Sequence, residues 1–175
     1  MSDEKWDKRY LRVAREVSRW SKDHAKVGAV IVRDNRIVAT GFNGFPSAVL
    51  DKASRLANDE EKLQMIVHAE ENAVLVACSN ARGGTVYVHG KPVCPRCAGT
   101  IIQAGIRRVV ATEPDREKAE TSKWDKWGFI ALQMFAEAGV QFHGKKISSP
   151  KNMPVRKLKK ANGDSALKPS NGRHH

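Results

Sequence analysis

The chain has 175 residues, 41% hydrophobic and 29% charged, with a formal net charge of +12. That size and balance suit one soluble globular domain with a tail. No apolar run nears the ~20 residues of a membrane helix, and the start MSDEKWDKRY lacks the apolar core of a secretory signal. A cytoplasmic location with no membrane partner is therefore expected.

The first predicted element is a helix from Glu4 to Trp20, with Trp6, Tyr10, Leu11, Val13, Ala14 and Val17 forming an apolar stripe. Residues 21–26 read as a polar turn. Val27–Val32 is a β-branched run broken at Asp34-Asn35, and Arg36–Thr40 resumes it, which predicts a hairpin. Gly41-Phe42-Asn43-Gly44-Phe45-Pro46 is a punctuated loop, and residues 47–62 are polar and irregular, with room for a helical turn. Met65–Cys78 reads as a helix, Thr85–His89 as a strand, and Pro95–Ala104 as a helix closed by Gly105. Arg107–Thr112 is a strand, Lys123–Ala138 an amphipathic helix, and Val140–His143 a last strand. This alternation predicts an α/β fold with a mixed sheet, antiparallel at the hairpin and parallel elsewhere.

The charge is uneven. Residues 145–175 carry nine Lys/Arg against one acid, Asp164, and are rich in Ser, Pro, Asn and Gly. They read as a basic, disordered tail behind a domain at 1–144. Nucleic acid is not the expected partner, because the four tryptophans are not interleaved with a basic stripe. The cysteines are Cys78, Cys94 and Cys97. An odd number in a reducing compartment argues against disulfides, and Cys78, in an apolar run, reads as a buried small hydrophobe.

Four residues carry the chemistry. His68-Ala69-Glu70 opens one predicted helix and Cys94-Pro95-Arg96-Cys97 opens the next, with a strand between them. Helices packed on one sheet face bring their N-termini to one edge, so an imidazole and two thiolates can converge. The i, i+3 spacing sets both sulfurs on one helical face, where the N-terminus favours thiolates. Three protein ligands and an open position make a catalytic zinc site, whereas a structural one needs a fourth ligand. Cys78 lies roughly 15 Å along the helix from His68 at 1.5 Å per residue, too far to serve. Glu70, two residues from His68, is free to shuttle a proton.

These residues match the H-x-E…C-x-x-C core of the zinc deaminase signature H-x-E…P-C-x-x-C. The chain resembles the cytidine/deoxycytidylate deaminase superfamily and is most similar to its dCMP deaminase branch. The resemblance rests on Ser21-Lys22-Asp23, Val27–Val32, Gly41-Phe42-Asn43-Gly44, His68–Ala73, Cys94–Ala98 and Ile101–Ile106. It implies a three-layer α/β/α fold with a mixed five-stranded sheet, a homo-oligomer (often a hexamer), and hydrolytic release of ammonia, dCMP giving dUMP. It further implies that His68, Cys94 and Cys97 bind zinc, that Glu70 moves the proton, and that Asn43 holds the sugar. Lys22 and Lys26 are its candidates for the substrate phosphate. The Gly-x-Asn-Gly loop is associated in some relatives with a dCTP regulatory site opposed by dTTP. Phe42 stands where those relatives have Tyr, and Val93 where they have the Pro before the first metal cysteine.

Other substrates of the same chemistry are dCTP, 5-methyl-dCMP, free cytidine and a tRNA adenosine. A different class is a non-catalytic zinc-containing nucleotide sensor, which would have no use for Glu70.

Overall fold

Alternation along the strands divides the core in two. Ala29, Ile31, Val86, Val88, Val109 and Ala111 bury one sheet face, and Val30, Val32, Tyr87 and Val110 bury the other. The computed structural model describes residues 3–145. Its elements are α1 (Asp3–Ser18), β1 (Gly28–Arg33), β2 (Arg36–Phe42), α2 (Ala53–Ala57), α3 (Asp59–Met65) and α4 (Ala69–Ala77). A short 3-10 turn (Cys78–Ala81) follows, then β3 (Thr85–His89), α5 (Pro95–Gln103), β4 (Arg108–Thr112), α6 (Lys123–Glu137) and β5 (Gln141–Lys145). None of these helices is long and apolar enough to cross a membrane.

The five strands lie in the order β2-β1-β3-β4-β5. β1 is antiparallel to β2 and β3, while β3, β4 and β5 run parallel. The sheet is therefore mixed, as the element order implied. The β1–β2 hairpin turns at Asp34 and Asn35, both at positive φ (50° and 60°), the geometry a two-residue primed turn requires. α1 covers one face through Tyr10, Ala14 and Val17, and α4, α5 and α6 cover the other through their alanines, Cys97, Ile101 and Phe135.

α1 is also pinned electrostatically. Asp7, almost fully buried, takes two 2.8 Å hydrogen bonds from the Arg108 guanidinium on β4. Burial works against the Asp7 charge, but Arg108, then Tyr87 and Lys145, outweigh it and hold its pKa below the ordinary value. Burial and the nearby Asp7 charge push the Tyr87 phenol up to about 12.

Four expectations need correction. The helix expected over Met65–Cys78 is split: Met65 ends α3, His68 is extended (φ −74°, ψ 157°), and α4 starts at Ala69. The polar stretch 47–62 holds α2 and most of α3, which Asn58 caps by accepting from the N–H groups of Glu60 and Glu61. Cys78 is exposed rather than buried, and its positive φ of 49° ends α4. β5 reaches Lys145, so the strand includes the first residue of the expected tail. The rest of that tail, 146–175, lies outside the described residues.

Candidate active site

Two helix starts converge at one end of the sheet. His68 precedes α4, and its backbone N–H donates to Glu71 Oε2 at 3.1 Å. Cys94 precedes α5, which begins with Pro95, where a missing N–H costs nothing. Arg96 joins the two: its Nε and Nη2 each reach one Glu71 carboxylate oxygen at 2.9 Å. α4 can lie this low on the sheet because residue 41 is glycine. A Cβ there would sit 2.3 Å from the Ala69 carbonyl oxygen and 2.5 Å from the Ala73 nitrogen. A two-residue bridge, Gly44 to Val67, ties the loop after β2 to the segment that presents His68.

These constraints place His68 Nδ1 3.2 Å from Cys97 Sγ and 3.5 Å from Cys94 Sγ, with all three donor atoms within 4.8 Å of one another. Such a group could hold a metal ion. Bonds of ~2.3 Å to sulfur and ~2.0 Å to nitrogen in a tetrahedron separate the donors by roughly 3.6 Å, so the spacing fits zinc. No fourth His, Cys, Asp or Glu joins the cluster among the described residues. The cluster borders a cavity lined by Glu70, Asn43, Asp23, Lys62, Lys91 and Trp124 as well as His68 and Cys94.

The cluster is electrostatically prepared for a cation. A hydrogen bond from Cys97 pulls the Cys94 thiol down to about 4, with His68 acting in the same direction against burial. That same hydrogen bond, burial and the Glu70 charge push the Cys97 thiol up. One thiolate is therefore already formed, and a divalent ion would draw off the second proton. Glu70 is 4% exposed, and burial pushes its carboxyl up to about 7 against the pull of His68. A carboxyl balanced near neutrality can both accept and donate a proton.

Asn43 lines the cavity but is also a scaffold. Its Oδ1 accepts from Val27 N–H at 2.8 Å, and its Nδ2 donates to Ala25 O at 3.0 Å and Asp23 Oδ2 at 3.3 Å. Lys22 and Lys26 are not brought to the cavity. Lys22 pairs with Asp51 at 2.7 Å, and the Lys26 ammonium donates to the Ser21 carbonyl. The lysines that do line it are Lys62, Lys91 and Lys123, from three other segments. Trp124, whose ring centre is 6.0 Å from that of His68, lines it as well. The reading of residues missed Glu71 and Arg96. The spacing of Glu71, three residues after His68 at a helix start, was the available signal.

Residues 4–113 match the family described as the cytidine and deoxycytidylate deaminase zinc-binding region. An uncharacterized deaminase in the luxG 3′ region of Aliivibrio fischeri is 41% identical over 140 residues, covering 78% of this chain and 91% of that protein. The human deoxycytidylate deaminase is 37% identical over 145 residues, covering 78% of each. The crystal structure of the dCMP deaminase of cyanophage S-TIM5 in its apo form superposes with a TM-score of 0.62 over 83% of this chain and 100% of that one. At 23% identity that likeness speaks for the fold. The matched segment contains both helix starts, His68 and the cysteine pair, and with this match the chain belongs to the cytidine and deoxycytidylate deaminase family.

Proposed function

We propose that this protein is a zinc-dependent hydrolase that deaminates a cytosine nucleotide, with dCMP as substrate and dUMP and ammonia as products. The observation that carries this reading is Glu70. A buried carboxyl that stays out of the metal cluster yet opens into the same cavity has a use in catalysis and none in a structural site.

His68, Cys94 and Cys97 would hold zinc, which would acidify a coordinated water toward pKa ~7. Glu70 accepts a proton from the attacking water. It passes that proton to N3 of the pyrimidine, then takes the second proton from the new C4 hydroxyl and gives it to the departing amine. The water oxygen becomes the O4 carbonyl and the amine leaves as ammonia, so the step needs no oxidant or reductant. Asn43 keeps one Oδ1 lone pair beyond its contact with Val27, which suits a sugar hydroxyl. The wholly apolar outer turn of α4, with Leu75 and Val76 two-thirds exposed, supports the homo-oligomer that the resemblance implies.

The test is ammonia release by the zinc-loaded protein from dCMP, dCTP, 5-methyl-dCMP, cytidine and a tRNA anticodon stem-loop. dCMP is expected to turn over fastest. Glu70→Gln should retain zinc and lose about 10²–10⁴-fold in kcat. A Glu70→Gln enzyme of normal rate would refute the role of Glu70, and zinc binding without turnover on any substrate would refute the deaminase reading.

A further inference from the structure

The cavity has three lysines, which differ in their partners. Lys62 is neutralised, with Asp59 at 2.7 Å and Asp23 at 3.4 Å. Lys91 and Lys123 form no ion pair among the described residues. Both are held against one indole: Lys91 Nζ lies 4.0 Å from the Trp124 ring centre and Lys123 Nζ 5.8 Å from it. Lys91 is half-buried. Burial holds its pKa below the ordinary lysine value against the pull of Asp23, and the charges of Lys62 and Lys123 press the same way as burial. With Asp23 and Asp59 engaged by Lys62, two ammonium groups that repel each other beside a ring, one of them partly stripped of water, leave room for an anion.

The backbone is built to hold them there. Gly90 has φ +122°, and a Cβ on it would meet the Lys26 carbonyl at 2.5 Å, so only glycine turns the chain to aim Lys91 inward. Gly128 lets α6 seat directly on the next residue of that loop: a Cβ there would be 2.9 Å from Pro92 Cβ and 2.7 Å from Pro114 Cβ. The two segments that carry Lys91 and Trp124 are thus locked together.

We infer that Lys91, assisted by Lys123, binds the phosphate of the substrate, so that this chain selects a phosphorylated cytosine nucleoside over the free nucleoside. The inference rests on the deaminase reading above. A phosphate monoester carries about −1.5 to −2 charges at neutral pH and matches the two ammonium groups. Lysine serves such a group as a mobile point charge, and Trp124 keeps the charge poised while no ligand is bound.

The experiment compares kcat/KM for dCMP and deoxycytidine in the zinc-loaded wild type, Lys91→Met and Lys91→Arg. The preference for dCMP should fall roughly 30- to 100-fold in Lys91→Met, chiefly through the KM for dCMP, and Lys91→Arg should restore most of it. A packing role for Lys91 would lower both substrates together and leave the preference intact, which overturns the inference. So would a wild type that favours deoxycytidine. Calorimetric titration with dUMP and deoxyuridine separates the two readings. If neither substrate is deaminated, the deaminase reading fails. Loss of dUMP binding in Lys91→Met still upholds the phosphate contact, and equal dUMP affinity in wild type and Lys91→Met refutes it.

Discussion

Replacing Glu71 with alanine removes one carboxylate and three of its contacts: the acceptor for the His68 N–H and both bonds to Arg96. The first is a helix-cap interaction worth about 1 kcal/mol. The second is an ion pair between a side chain 18% exposed and one 50% exposed, so solvent screening limits it to about 1 kcal/mol or less. The fold should lose about 1–2 kcal/mol, a fall of roughly 2–8 °C in Tm for a domain of this size. The larger effect is expected in the metal cluster, because Glu71 and Arg96 fix the relative position of the His68 backbone and the α5 start. Loss of an orienting partner of this kind weakens metal binding about 10- to 100-fold. Competition against a chromophoric zinc chelator measures it directly. Glu71→Gln, which can still accept from the His68 N–H, should fall between wild type and Glu71→Ala. Wild-type zinc affinity in Glu71→Ala would show that the two helix starts are held together by packing alone, and the reasoning would fail.

Two further outcomes concern stability. The folded pKa of Asp7 is depressed, so its contribution is complete above its unfolded value of about 3.8 and is lost as pH falls through the lower folded value. Asp7→Asn should therefore unfold in urea about 3 kcal/mol more easily than wild type at pH 6, and this gap should narrow on going to pH 3. The metal cluster loosens in acid in both proteins, so only the difference counts; a gap that stays constant would exclude the Asp7–Arg108 pair as its source. Asn43→Ala leaves the Val27 N–H and Ala25 carbonyl without their partner and should cost about 2–3 kcal/mol in the same assay. Unchanged stability would show that the loop does not depend on the Asn43 amide.

What could be read from the residues was whatever a short stretch determines. The strand periods, the Asp34-Asn35 turn and the two helix starts are local patterns, and the sheet assembled from them is mixed as expected. Cys78 misled because an apolar run reveals hydrophobicity but not what covers it: α4 is apolar on its outer side too, where Leu75 and Val76 face solvent. Lys22 and Lys26 lie in the loop before β1, which the resemblance sets near the site, but Asp51 and the Ser21 carbonyl take their ammonium groups. Lys91 and Trp124 come together from segments that share no pattern, joined by the seating of Gly128 on Pro92. Tertiary packing alone creates that pairing.

The strand order carries a consequence for assembly of the molecule. Only one pairing, β1 with β3, joins strands that are not consecutive in the chain. The sheet is thus two local units, the β1–β2 hairpin and the parallel β3-β4-β5 run, sewn along a single seam. His68 belongs to the connection that crosses this seam, and Cys94, 26 residues further on, belongs to the second unit. The proposed ion, held by both, would act as a clasp across the seam, beside the Asp7–Arg108 pair and the packing of α1 and α4. The proposed zinc ligands would in this way also be a stitch of the fold, and the protein without such an ion would be expected to part first between β1 and β3.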